Sequence, residues 1–285
     1  MDAGRLGGWK TGLLTGLPDT GKSMKYYLHI LGVFYKAAIL TDLEYRTNFI
    51  VNLLLSIVSV SWSVAAVAVF FLHTDEIRGW DFYGLMIVLG LFLFFLGLVD
   101  VFLTPNVKDL IEHIRLGTMD FILTKPLNAQ FHASLRRINI WRVTDTLLGL
   151  GIVAYSVNRS AVQLTLLNIL LFIVLCLCAA VIMYALVMLL ITSAFWFVQL
   201  DNVMELLFTF YEAGRFPTTI FPAWIRAVLT FVVPVAFVTT VPAAVLLGRM
   251  SGLFVFYSLL ATILLFVASA LFWHYAVRHY SSASS

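Results

Sequence analysis

Long apolar segments separated by short polar or charged breaks dominate the pattern along the chain. Each segment is close to the roughly 20 residues that an α-helix needs to cross the hydrocarbon core of a bilayer. The pattern therefore predicts membrane spans, and the clear ones cover residues 47–72, 82–103, 138–157, 164–190 and 253–277.

The pattern between residues 191 and 250 is less regular. Four polar side chains interrupt the apolar run of residues 196–211, namely Gln199, Asp201, Asn202 and Glu205. They predict a cytosolic turn within residues 191–202 and a short fifth span after it. Four of the seven prolines follow, at Pro217, Pro222, Pro234 and Pro242. Because proline interrupts helices, we expect short broken helices over residues 216–250. With the short fifth span, the whole pattern predicts an all-α, polytopic membrane protein of six transmembrane helices.

Residues 25–46 are predicted to form a helix that lies in the membrane interface. Polar residues recur along its first part, at Lys25, His29, Gly32 and Lys36. A narrow polar stripe on an otherwise apolar helix is typical of a helix in the plane of the interface. Residues 1–24 hold charges among glycines and no apolar run, so we expect a flexible cytosolic tail there.

Composition and charge restrict the function. The chain of 285 residues is 61% hydrophobic and 12% charged, against about 45–50% and about 25% in soluble domains, which excludes a soluble fold. The basic residues lie scattered between apolar segments, so a nucleic-acid partner has no support. On the predicted topology, 13 of the 18 Lys and Arg residues lie on the side of the N-terminus. The positive-inside rule therefore places both termini in the cytosol.

Residues 16–23 fit the phosphate-binding pattern G-x4-G-K-[ST]. That loop binds nucleotide where it joins a buried strand to a helix in a nucleotide-binding domain. No strand pattern precedes it here, and no polar stretch is long enough for an ATPase domain, so we expect no nucleotide binding. Residues spaced for metal binding or nucleophilic catalysis are also lacking, which predicts a non-catalytic chain without a metal or cofactor of its own.

The loop after the second span holds the most informative polar segment. Following Pro105, Asn106 is predicted to cap a short helix that ends at Gly117. The apolar face of this helix consists of Val107, Leu110, Ile111 and Ile114. The remaining positions carry charged or polar side chains, at Lys108, Asp109, Glu112, His113 and Arg115. Such a helix suits docking on a soluble partner or resting on lipid headgroups, and the residues alone leave both interpretations open.

The eleven residues from Gly117 to Leu127 read GTMDFILTKPL. They resemble the G-T-x-D-x-x-L-x-K-P loop of ABC transporter permeases of the type 2 exporter class, the ABC-2 family. The Glu44-Tyr45-Arg46 run and the proline-spaced residues 216–248 also resemble that class. The resemblance implies an elbow helix before the first span, a coupling helix at residues 107–117 that docks on an ATPase, and outer gate helices at residues 216–250.

On this resemblance, the chain is the permease subunit of an exporter that moves a hydrophobic or amphipathic compound out of the cell. Its implied partners are an ABC ATPase subunit, which uses ATP and Mg, a second permease chain, the same or different, and membrane lipid. The implied location is the plasma membrane of a prokaryote. The alternatives are a secondary transporter or channel without an ATPase, and a membrane-embedded enzyme.

The resemblance also assigns residues to these roles. The implied ATPase-coupling residues are Val107, Lys108, Leu110, Ile111, Glu112, Ile114, Arg115, Gly117, Asp120, Leu123 and Pro126. The implied outer gate residues are Pro217, Pro222, Pro234 and Pro242.

Polar residues inside the spans mark candidate pathway faces. On the first span they form one stripe, Asn48, Asn52, Ser56, Ser59 and Ser63. This stripe faces a pathway, a second chain or neighbouring helices. Asp201, Glu205 and Glu212 share another face, either as an acidic lining or as groups at the two membrane surfaces. Structural ion pairs are expected at Asp100 and between Arg142 and Asp145.

Overall fold

The computed structural model describes residues 24–43, 46–120, 129–160, 162, 164–196, 201–249 and 252–279. Within these ranges, the side chains of residues 24–28, 41–43, 46–49, 201–204 and 206 are not described. The predicted tail and its phosphate-loop pattern, and Leu123 and Pro126 of the predicted coupling loop, lie outside the described residues.

Helices make up nearly all of the described chain. In order they are α1 (Met24–Leu43), α2 (Arg46–Phe70), α3 (Phe82–Leu98), α4 (Thr104–Arg115), α5 (Ala129–Leu135), α6 (Val143–Arg159), α7 (Leu166–Thr192), α8 (Asp201–Glu212), α9 (Ala223–Ala227), α10 (Val235–Val238), α11 (Thr240–Leu246) and α12 (Gly252–His279). Strands β1 (Glu76–Ile77) and β2 (Trp80–Asp81) pair antiparallel and form a hairpin between α2 and α3.

Five helical stretches of the described residues are long and apolar enough to cross a membrane. They are Ile50–Phe70, Phe82–Arg115, Ile140–Arg159, Leu166–Phe195 and Gly252–His279. A sixth is counted when Ala223–Val232 and Val235–Leu246, which meet at 73°, are taken as one broken span. These helices confirm the predicted all-α, polytopic membrane fold.

Helix α8 occupies the place of the predicted short fifth span. Its 12 residues cover about 18 Å, well short of the hydrocarbon core of roughly 30 Å. The described helix of the predicted fifth span is therefore too short to cross the membrane by itself. The chain turns at the 3-10 segment Ala213–Arg215 and continues through the broken segments behind it.

The second span and the predicted loop helix are one continuous helical stretch, which corrects the expectation of a separate helix beginning after Pro105. Helix α3 passes into a π turn, Val99–Leu103, and the π turn passes into α4. Pro105 lies in the first turn of α4, directly behind the wider π turn, where its ring is tolerated. Helix α4 is therefore a direct extension of a membrane span.

Helix α3 lies at the centre of the fold, since every residue of 84–93 is buried. Helix α6 packs along it through glycines. A Cβ atom on Gly149 of α6 would lie 2.5 Å from the Phe94 backbone nitrogen and 2.7 Å from the Gly90 carbonyl oxygen. Small residues that let two backbones approach this closely are a common basis of helix packing in membranes.

Gly149→Val is expected to lower the melting temperature of the purified protein, because the new side chain has no space against α3. Overpacking of this kind costs about 1–3 kcal/mol. Gly151→Val on the same helix is the matched control, since a Cβ there has no neighbour within 4 Å. Thermal unfolding in detergent measures both, and equal melting temperatures would contradict the glycine contact.

Candidate functional site

Helix α4 presents one apolar and one charged face. Val107 and Leu110 are buried, with exposed fractions of 3% and 2%, and Ile111 and Ile114 pack against the same core. The opposite side exposes its charges, at Lys108, Glu112 and Arg115. The helix is thus anchored to the permease by its apolar face and offers its charges outward.

The end of α4 is fixed by a glycine cap. Gly117 has a φ of +67°, which glycine adopts without the penalty paid by other residues. The Thr118 N–H donates to the His113 carbonyl at 2.9 Å, and the Gly117 N–H donates to the Ile114 carbonyl at 3.2 Å. This pair of bonds is the Schellman arrangement, so the predicted C-terminal cap is confirmed. Asp120, the last described residue before the gap, is half-buried.

Two residues of the predicted coupling helix face inward instead of serving the predicted roles. Asn106 is not an N-cap: it is buried inside the continuous helix and bonds to the Arg137 backbone. Asp109 does not join the exposed charged face, because its carboxylate pairs with Arg137 at 2.9 Å and lies 3.7 Å from Arg136. Residues 136–142, here called the inner strap, therefore belong to this site.

The predicted ion pairs are confirmed at the N-terminal end of α6. The Arg142 guanidinium lies 3.2 Å from the Asp145 carboxylate and 3.9 Å from the Asp100 carboxylate of the π turn. Arg142 thus bridges α6 and the π turn.

Helix α1 packs on the same region. The Tyr35 ring lies 6.1 Å from the Phe102 ring of the π turn, and the Phe34 ring meets His132 of α5 edge-on at 5.8 Å. The polar stripe points away from these contacts, since its described side chains at His29, Gly32 and Lys36 are exposed. The elbow role of this helix stays a prediction.

The proline-spaced region is a set of short segments whose breaks coincide with prolines. Pro217, Pro222 and Pro234 each immediately precede a helical segment, and Pro242 lies in the first turn of α11. Proline is tolerated at these positions because the first turn of a helix has no internal acceptors for its N–H groups. The predicted broken helices are confirmed, and their gate role stays a prediction.

The hairpin β1–β2 holds both ends of this region. The Trp80 indole donates to the Thr219 hydroxyl at 2.9 Å. The Arg249 guanidinium donates to the Gly79 carbonyl at 2.6 Å and to the Asp81 carboxylate at 3.1 Å. The region thus begins and ends at the hairpin.

The middle of the region reaches the centre of the span. A Cβ on Gly214 would lie 2.5 Å from Val235, directly after Pro234, and 3.7 Å from the Phe92 ring. The Tyr211 hydroxyl donates to the Phe92 carbonyl at 3.1 Å. Phe92 lies ten residues from Phe82, about 15 Å along the helix. The chain therefore runs from the hairpin to the middle of α3, turns there and returns to the hairpin.

A charged pair lies at this depth. The Arg215 guanidinium pairs with Glu212 at 2.9 Å and lies 5.1 Å from the centroid of the Phe92 ring. The Glu212 side chain is 52% exposed, and Glu205 on the same helix is also exposed. The side chain of Asp201, the third acidic residue of this face, lies outside the described ones.

The polar stripe of the first span faces mainly into the protein. Ser56 and Ser63 are buried beside Val60 and Val67, and the Ser63 hydroxyl donates to the Ser59 carbonyl at 3.0 Å. Asn52 is half-buried and Ser59 exposed, and the side chain of Asn48 is not described. This arrangement favours packing between helices over a pathway lining.

The described residues define a multi-pass α-helical membrane protein in which one span extends into a capped helix with an exposed charged face. A family model described as "ABC-2 family transporter protein" matches residues 52–284. The chain therefore belongs to the ABC-2 transporter family, as its sequence resemblance implied, and is a membrane component of an ABC transporter. No curated protein and no solved structure matches it.

Proposed function

We propose that the chain is the permease subunit of an ATP-driven exporter that moves a hydrophobic or amphipathic compound out of the cell. The observation that supports this most is helix α4, a capped helix with an exposed charged face that continues a membrane span in a chain of the ABC-2 family. A separate ABC ATPase subunit binds ATP and Mg, docks on α4 and hydrolyses the ATP.

Coupling follows from the continuity of the helix. Lys108, Glu112 and Arg115 contact the ATPase, while Val107 and Leu110 fix α4 to the permease core. Because the stretch Phe82–Arg115 is helical throughout, a displacement of its docked end is carried into the membrane. The span then changes its packing against its neighbours, which opens the pathway to one side of the membrane at a time.

The pathway runs along the exposed side of α8, between this chain and a second permease chain. An ionised pair at the centre of a bilayer is costly and faces a water-filled cavity or protein in nearly all membrane proteins. The exposed Glu212 carboxylate beside Arg215 therefore lines a space that a second chain encloses. A partner chain is needed because this face is open in the single chain.

Glu212→Cys, in a chain with Cys176→Ala and Cys178→Ala, is expected to react with a positively charged thiol reagent in membranes, because water reaches this face. Leu264→Cys is the control, since Leu264 lies mid-way along α12 and is 60% exposed on an apolar surface. Mass spectrometry measures the modification. An unreactive Glu212→Cys variant, or equal reaction at both positions, would contradict the proposed pathway.

The orientation proposed is both termini in the cytosol and the hairpin β1–β2 outside, in the plasma membrane of a prokaryote. The proline-spaced region then forms an outer gate, closed by the contacts of Trp80 and Arg249 with their partners. The excess of Lys and Arg on the side of the termini supports this orientation.

Copurification tests the proposed function. A tagged chain, expressed with the genes that neighbour its own, is expected to retain an ABC ATPase whose hydrolysis drives export. Transport that continues without an ATPase would instead support a secondary transporter or channel.

Thiol labelling tests the proposed orientation. Thr74→Cys and Ser160→Cys should react with an impermeant thiol reagent in intact cells, and Thr118→Cys should not.

A further inference from the structure

The inner strap, residues 136–142, lies against the junction between the π turn and α4. It connects α5 to α6, so it is the segment by which the chain re-enters the membrane after the loop. Its contacts with the junction are of three kinds: a backbone bond, a buried side-chain clamp and ion pairs.

The backbone bond reaches a carbonyl that has no α-helical donor. In an α-helix the Val101 carbonyl would accept from the N–H four residues later, but that residue is Pro105, which has none. The Asn139 N–H of the inner strap donates to the Val101 carbonyl at 2.9 Å. The Val101 carbonyl, which lacks its usual α-helical donor, thus binds the inner strap.

Asn106 clamps the strap next to this bond. Its side chain is buried, with an exposed fraction of 2%. The Oδ1 atom accepts from the Arg137 N–H at 2.7 Å, and Nδ2 donates to the Arg137 carbonyl at 2.7 Å and to the Phe102 carbonyl at 2.6 Å. The amide therefore binds both polar groups of one strap residue and a carbonyl of the helix. Breaking such a buried network leaves unpaired groups at about 1–3 kcal/mol each.

Ion pairs close the contact on both sides of the clamp. Asp109, one turn further along α4, holds the Arg137 side chain at 2.9 Å. Asp100, on the π turn, faces Arg142 at the start of α6 at 3.9 Å. About two turns further along, α6 is already held to α3 by the glycine contact around Gly149. Helix α6 is thus attached to the α3–α4 stretch along the membrane span and at its inner end.

We infer that the inner strap is a rigid link that makes α6 move as one body with α3 and α4, and that Asn106 is the positioning residue of this link. The inference rests on the proposed function, because the motion it transmits is the displacement of α4 by a docked ATPase. A strap that only completed a loop would need neither the paired bonds to Arg137 nor the ion pairs on both sides.

Electron paramagnetic resonance distances test this link directly. Spin labels are placed at Leu116, at the end of α4, and at Leu147 on α6; these residues are 63% and 62% exposed. The chain carries Cys176→Ala and Cys178→Ala and is diluted into unlabelled chain. We expect one narrow distance distribution that is the same without nucleotide and after vanadate trapping of the ATPase.

Asn106→Leu is expected to broaden this distribution, and its mean distance should shift on trapping. The complex should still hydrolyse ATP but export less compound per ATP hydrolysed. A merely structural role would lower the amount of complex but not the export per ATP hydrolysed. Asp109→Asn, at a partly exposed position, should broaden the distribution less. It is the test variant to use if Asn106→Leu does not fold. Asn158→Asp, at an exposed position at the far end of α6, is the control for an Asn substitution.

Two results would overturn the inference: a shift of the distance on trapping in the unmodified strap, or an unchanged narrow distribution in both Asn106→Leu and Asp109→Asn. If no ATPase copurifies, the proposed function fails instead. The distributions without nucleotide then still decide whether the strap is rigid, so the two failures are distinguishable.

Discussion

Reversing the exposed charges of α4, by Glu112→Lys with Arg115→Glu, is expected to abolish copurification of the ATPase and transport-linked ATP hydrolysis. Both side chains are exposed on the face opposite the buried Val107 and Leu110, so the exchange leaves the permease core unchanged. Opposing like charges across an interface cost several kcal/mol, and about 3 kcal/mol already weakens binding roughly a hundredfold. Pull-down of the ATPase with each tagged variant measures the effect.

The matched control is Asp75→Lys with Arg78→Glu, at the two positions that flank β1. It exchanges the same charges at the same spacing of three, at two exposed positions on the hairpin side of the fold. This control should retain the ATPase and its activity. If both double variants keep the ATPase, α4 only rests on headgroups, and the proposed function loses its main support.

The regular part of the fold was predictable because membrane spans obey simple length and polarity constraints. The hydrocarbon core fixes how long an apolar segment must be, so the boundaries at Phe70, Phe82 and Arg159 lie within a few residues of those read from the pattern. The face of α4 was predictable for a related reason, since Val107, Leu110 and Gly117 are positioned by local helix periodicity and capping.

The inner strap was not predictable, because its partners are distant in sequence. Asn106 and Arg137 are 31 residues apart, and no local pattern relates them. Pro105 also pointed to the wrong structure: a proline followed by Asn favours a helix start, but tertiary contacts at Val101 and Asn106 compensate for the interrupted bonding and keep the helix continuous. The one available signal was the Arg136-Arg137 pair, whose charges call for a partner such as Asp109.

The depth of the broken region likewise depends on tertiary packing. The prolines predicted where its helices break, but not that the turn after Pro234 would meet Gly214 beside Phe92. Glycine at position 214 leaves room for Val235 to approach, but the residues next to Gly214 in the sequence do not indicate this contact. Glu212 lies next to Tyr211, which bonds to Phe92, and pairs with Arg215 over the same ring; its part in an acidic lining stays a prediction.

Gly117→Val is expected to abolish transport-linked ATPase activity while the permease still inserts. The φ of +67° at Gly117 lies in the left-handed region, where a residue with a Cβ atom is strained by roughly 1–2 kcal/mol. The variant relieves this strain by opening the cap, which loses the bonds from Gly117 and Thr118 to the last turn of α4. The docking end is then no longer held in one orientation, so an ATPase that binds it cannot displace the span.

Gly248→Val separates this effect from backbone strain as such. Gly248 has the same φ of +67° and ends α11, but it lies beside the hairpin, on the side of the membrane opposite to α4 in the proposed orientation. A Cβ there would have one neighbour, the Asn168 side-chain nitrogen at 3.6 Å. The two variants should therefore lose similar thermal stability, while only Gly117→Val loses ATPase coupling. Loss of coupling in both would show that the strain acts through global stability, and retention in both would show that the α4 cap has no part in docking.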